Sequence, residues 1–113
     1  MPEYHYNTDT RAQREYLRSI KKDYLDIFNA FNSKVFEEGV ISKKNKELIA
    51  IACAHITHCP YCIDGHVRRA KDMGVTDEEI AEAIFVATAM AAGASIAHSN
   101  IAMKALMKPP AQA

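Results

Sequence analysis

The stretch Glu47-Leu48-Ile49-Ala50-Ile51-Ala52-Cys53-Ala54, followed closely by Cys59-Pro60-Tyr61-Cys62 and His66, decides how this chain is read. Its first part is apolar on all sides, as a buried strand or a central helix would be. The alanines at 50, 52 and 54 and a run that extends to about Thr57 favour the helix, with Ser42 placed to cap its start. Pro60 suits the first position of another helix, where its missing N–H costs nothing. Cys59 then becomes the cap, and both cysteines fall in the first turn. Met73-Gly74 closes that helix, with glycine in the usual C-terminal place.

Working outward, Leu17, Ile20, Tyr24, Ile27 or Phe28, Phe31 and Val35 recur every three or four residues. They predict one long helix or two, ending at Gly39, with no Gly or Pro inside to mark a break. Downstream, Thr76-Asp77-Glu78-Glu79 is a capping box that opens a helix with Ile80, Ala83, Ile84, Ala87 and Ala91 inward. Ala92-Gly93-Ala94 reads as a joint, and a last helix continues to about Met107, where Pro109 and Pro110 stop it. No stretch alternates like a half-buried strand. The expectation is an all-α fold of five to six helices, one domain over residues 1–113.

Composition bounds the partners. The chain has 113 residues, 49% of them hydrophobic, and its 14 basic and 14 acidic side chains cancel. That suits a small core and gives no pull towards nucleic acid or an anionic membrane. Lys43, Lys44 and Lys46 read as solvated surface. The N-terminus lacks the basic start and apolar run of a signal peptide, so a cytoplasmic location is expected. The alanine-rich segment Ile80 to Ala97 carries Glu82, Thr88, Gly93 and Ser95, which favours a buried helix pair over a membrane span. Its small residues permit close backbone approach within the chain or between subunits.

The chemistry lies in the thiols. A cysteine attacks only as thiolate, and a free pKa of about 8.5 leaves little thiolate at neutrality. At a helix start, unpaired N–H groups and the positive end of the dipole favour the anion. His66, four residues beyond Cys62, shares its helical face as proton acceptor or charge partner. Glu47, on the preceding helix, is a candidate to pass protons to and from His66; the competing reading is a carboxylate that only complements its helix dipole. Cys53 reads as a packed small hydrophobe. His55, His58 and His98 receive no catalytic role. Zinc is a rival, held by Cys59, Cys62, His66 and either His58 or His55. Structural zinc sites usually draw their second ligand pair from a separate element, however, and these residues are all close in sequence, so no metal is assigned. Cys-Pro-Tyr-Cys also resembles a glutaredoxin active site, but the helical, proline-free sequence downstream does not fit that fold.

Glu47, eleven residues, Cys59, two residues, Cys62, three residues and His66 together match the motif of the AhpD-like, or carboxymuconolactone decarboxylase, superfamily. The resemblance runs from about Phe31 to Leu106 and includes Glu38-Gly39, Lys46-Glu47-Leu48-Ile49, Gly65 to Ala70 and Gly74 to Ile80. It implies a helical fold assembled into trimers or hexamers, with the active site near subunit contacts. It also implies an antioxidant peroxidase in which Cys62 is the peroxidatic thiol. Cys59 would be the resolving thiol, more open to an external reductant, and Glu47 and His66 the proton relay. The implied partners are a small hydroperoxide and an external thiol or lipoyl-type reductant, with no cofactor beyond the redox-active disulfide. One departure stands out: alkylhydroperoxidase members carry a histidine immediately before the second cysteine, where this chain has Tyr61. A phenol does not shuttle protons near neutrality as an imidazole does, which bears on peroxidase efficiency and on the lipoyl partner. The decarboxylase branch generally lacks the two cysteines.

Overall fold

The structure, a computed structural model, describes residues 9–110. Five helices and no strand occur among the described residues: α1 Arg11–Ile20, α2 Lys22–Val35, α3 Lys43–Thr57, α4 Pro60–Asp72 and α5 Asp77–Met107. The upstream periodic stretch is therefore two helices, separated at Lys21, whose backbone leaves the helical region at φ −139° and ψ 66°. Asp26 of α2 ties the break together. It accepts from Arg18 of α1 at 2.8 Å and from Lys22 at 2.7 Å, and these partners, Arg18 first, pull its carboxyl down to about 2.

α2 stops at Val35, short of Gly39, with Phe36 as its cap. The last carbonyls of a helix have no partner within it. Here Lys46 of α3 supplies one, its ammonium donating to the Val35 carbonyl at 2.7 Å and the Glu37 carbonyl at 2.6 Å. Lys46 is thus not the solvated residue the sequence suggests but the clasp between α2 and α3. Ser42 caps α3 as expected, its hydroxyl accepting from the Asn45 N–H at 3.1 Å.

Glu47, Ile51 and Ala54 line the inner face of α3, four and three residues apart. Ile51, Ala70, Val75 and Ile80 form the core, with Leu48, Val67 and Ile84 packed against it. It therefore lies between α3, α4 and the start of α5. α3 is not surrounded on all sides, since Ile49, Cys53 and Ile56 stay exposed. The turn into α5 depends on Gly74 at φ +86°, a conformation that favours glycine. It lets the Val75 N–H reach the Ala70 carbonyl at 3.0 Å and sinks the valine into the core.

α5 opens on the expected box: the Thr76 hydroxyl accepts from the Glu79 N–H at 3.1 Å, and the Glu79 carboxylate accepts from the Thr76 N–H at 2.9 Å. It then runs unbroken for 31 residues, so the joint expected at Gly93 is absent. A glycine inside a helix costs only about 1 kcal/mol relative to alanine and need not stop it. The expected buried pair fails for a reason of length. At 1.5 Å per residue α5 is about 46 Å long, whereas α3 is about 22 Å, and residues 91–107 of α5, which run past the end of α3, are exposed among the described residues. Ile80 and Ala87 are its buried residues, Ala83 and Ile84 are half-buried, and Ala91 is exposed. By length and composition α5 is the one helix among the described residues apolar enough to cross a membrane, with 11% of its most apolar window buried.

Candidate active site

The cysteine pair owes its position to the end of α3. His58 takes the left-handed conformation, φ 57° and ψ 45°, and the Cys59 N–H then bonds back to the Ala54 carbonyl at 3.1 Å. Such a backbone costs a non-glycine residue roughly 1–2 kcal/mol. It reverses the chain at once, so α4 begins at Pro60 with Cys59 as its cap. The Cys59 sulfur accepts from the Cys62 N–H at 3.2 Å, and the two cysteines are joined as a disulfide with Cα atoms 5.3 Å apart. The expected order of exposure is inverted in this chain. Cys59 is half-buried and Cys62 exposed, because a capping sulfur folds back over the first turn while the third residue of the turn points outward.

Glu47 is the fifth residue of α3, beyond the first turn, and only 2% exposed. A carboxylate placed there to complement the dipole would sit nearer the helix start and in solvent. Instead it meets His66, whose Nδ1 lies 2.6 Å from Glu47 Oε2. Nδ1–H donating to the carboxylate leaves Nε2 as a potential proton acceptor. The ring is further held by Phe36, stacked on it with centroids 5.0 Å apart. Arg69 adds a guanidinium, its Nε 3.6 Å from Glu47 Oε1 and its Nη2 3.3 Å from His66 Nδ1.

Cys62 and His66 line one cavity of about 470 Å³, walled by Val35, Phe36 and Ile41 on one side and by Ile49, Ala50 and Ala54 of α3 on the other. The wall is largely apolar. Cys53 lines it too and is exposed, which corrects its reading as a packed hydrophobe: its face of α3 borders cavities rather than another helix. Between α3 and α5 a second cavity of about 570 Å³ is lined by Cys53, His55, His58 and Met90 among others. The His55 Nδ1 is engaged with the Ile51 carbonyl at 2.8 Å, and His98 is exposed on α5. Among the described residues no three His, Cys, Asp or Glu side chains gather as metal ligands do.

Two residues beside the expected four were missed. Arg69 is three residues beyond His66 and so on the same face of α4, a signal the spacing contained. Phe36 lies past the end of α2 and reaches His66 only through the tertiary fold; no local pattern marks it. The arrangement brings together a Cys59–Cys62 disulfide, a buried carboxylate–imidazole pair and an apolar cavity. Those are the parts of thiol redox chemistry with proton transfer.

Comparison with known proteins agrees with this architecture. A protein of Paracoccus denitrificans described as "Uncharacterized protein 4 in cox locus" is 51% identical over 81 residues, which span 72% of this chain and 73% of that protein. A crystal structure of a Methanobacterium thermoautotrophicum protein superimposes with a TM-score of 0.72 at 27% identity, covering 81% of this chain and 99% of the other. The sequence profile of the carboxymuconolactone decarboxylase family matches residues 22–105, a span that takes in α2 through most of α5 and every residue of the site above. The helical fold, the Cys59–Cys62 pair and this match together make the chain a member of the carboxymuconolactone decarboxylase family, within the AhpD-like superfamily.

Proposed function

We propose that the protein is a thiol oxidoreductase that reduces hydroperoxides by cycling Cys59 and Cys62 between dithiol and disulfide, as part of antioxidant defence. One observation carries the reading: the Cys59–Cys62 disulfide stands at a cavity that Cys62 shares with His66, whose other ring edge is held by buried Glu47. In the reduced protein His66 Nε2 takes the Cys62 proton. The thiolate attacks the terminal oxygen of the hydroperoxide, the O–O bond breaks, and the alkoxide leaves as the alcohol with the proton from His66. Cys62 is then a sulfenic acid. The Cys59 sulfur attacks it, water departs, and the disulfide closes. Two electrons from an external dithiol, a lipoyl-type carrier among the options, reopen it by thiol–disulfide exchange. The exposed Cys62 sulfur is the one offered to that reductant in the isolated chain.

The proposal includes a cytoplasmic homo-oligomer, a trimer or hexamer. Its support is the bare apolar surface: Phe85, Met90, Ile96 and Ile101 of α5 are each at least 66% exposed. The radius of gyration is 19.6 Å, against about 13 Å for a compact chain of this size.

The test is peroxide consumption by reduced, metal-stripped protein with a dithiol in excess. Cys62→Ser is expected to lower the rate by on the order of a thousandfold, as loss of a covalent nucleophile does. Wild-type turnover in that variant removes the reading. Loss of a lactone acid's carboxyl group in a protein without either cysteine would bring a decarboxylase forward, and tightly bound zinc a metal-holding module.

A further inference from the structure

We infer that Arg69 is a positioning residue for the Glu47–His66 pair, fixing the imidazole with its proton on Nδ1 and with Nε2 open. The inference rests on the thiol-redox reading above for its kinetic consequence, but on geometry for its substance. Glu47 has one oxygen against His66 Nδ1 at 2.6 Å and the other 3.6 Å from Arg69 Nε, while Arg69 Nη2 stands 3.3 Å from Nδ1. A ring nitrogen carries either a proton or a lone pair, so Nδ1 cannot donate to Glu47 and accept from Arg69 at once.

Two proton placements satisfy the short contact. In one, a protonated Glu47 donates to a bare Nδ1, which sets a neutral acid against a guanidinium that stays charged throughout. In the other, Nδ1–H donates to the carboxylate, and the same carboxylate pairs with Arg69. Only the second uses both charges of a nearly dry site, where Glu47's side chain is 3% exposed and His66's 14%. Lys46, which lines the adjoining cavity, is committed instead to the Val35 and Glu37 carbonyls. His66 Nε2 has no hydrogen-bond partner among the described residues, and in this tautomer it is the atom free to take a proton from Cys62.

The experiment is ¹⁵N chemical-shift measurement of the His66 imidazole in reduced full-length protein at neutral pH, compared across Arg69→Gln, Arg69→Met and Arg69→Lys, with peroxide kinetics on the same samples. Arg69 is half-exposed, at 54%, so these variants are expected to fold. The wild type should show a protonated Nδ1 and a bare Nε2. Arg69→Gln and Arg69→Met should show a mixture of tautomers and a kcat lower by on the order of tenfold with KM unchanged, and Arg69→Lys should restore both. Wild-type imidazole shifts in Arg69→Gln or Arg69→Met overturn the inference. The tautomer readout needs no turnover, so a protein that consumes no peroxide would sink the functional reading while still deciding the role of Arg69.

Discussion

Ile51 and Ile96 are the same residue in the same kind of helix, yet one is fully buried and the other 73% exposed. Around Ile51, α3, α4 and the first turns of α5 close on each other, and the Glu47–His66 pair joins α3 to α4 beside them. Around Ile96 the helix is as apolar but stays exposed among the described residues. The site and the core are thus one structure, and stability of the first turns of α4 is also stability of the cysteine pair. The distal half of α5 contributes little to the core of a single chain. Ile51→Ala should therefore cost about 3 kcal/mol, a transfer loss plus a cavity, whereas Ile96→Ala should stay within about 0.5 kcal/mol. Urea unfolding measures both. A loss at Ile96 that grows with protein concentration would mean that the bare face is covered by another copy, and would sharpen the contrast into one between intrachain and intersubunit burial.

A second comparison sets chemistry against packing within the buried region. Glu47→Gln keeps the shape and removes the charge, so peroxide consumption should fall by about a hundredfold, the usual worth of a positioned acid–base group. Equal rates in the two proteins would confine Glu47 to a structural role. Next in size is Ser42→Ala, which deletes the hydroxyl that caps α3. It should cost about 1 kcal/mol by urea titration and leave the peroxide rate unchanged, since the cap lies at the far end of the helix from the thiols. A drop in rate without loss of stability would show the start of α3 to be coupled to the site.

Much of this was legible in the sequence because it is local. Ser42, Cys59 with Pro60, Gly74 and the Thr76–Glu79 box all act within four residues of themselves, and each stands where its pattern predicts. Glu47 and His66 are 19 residues apart, and the match to the superfamily motif, more than periodicity, singled them out together. What stayed hidden depends on contacts that cross the fold. Lys46 clasps carbonyls 11 and 9 residues back, and Phe36 reaches a ring on another helix. The break at Lys21 carries neither Gly nor Pro. The joint expected at Gly93 fails for the opposite reason: a glycine weakens a helix locally without interrupting it. Burial was the least legible quantity. Periodicity names an apolar face without saying whether anything covers it, and the stripe from Leu17 to Val35, which predicts helix, is exposed.

The smallest expected effect tests how α5 is anchored. Its first turn is held by Glu79, whose carboxyl is lowered from its ordinary 4.5, chiefly by the Thr76 N–H, then by the Thr76 hydroxyl, with Lys44 adding a weaker attraction. A carboxyl lowered in the folded state adds stability that is present above the unfolded value and is lost as pH falls through the folded one. Glu79→Gln does not titrate. The stability difference between wild type and variant should therefore be steady above pH 5.5 or so, shrink as pH falls through about 4.5, and level off below the folded value. The group is fully exposed, so the change should be modest, and salt should trim only the part owed to Lys44. Because the distal half of α5 is exposed among the described residues, this cap and the packing of Ile80, Ile84 and Ala87 fix the helix to the core of one chain. Parallel urea midpoints for the two proteins from pH 7 to pH 3 would mean that the capping carboxylate contributes nothing. The anchoring would then have to come from the apolar face, most directly through a second copy.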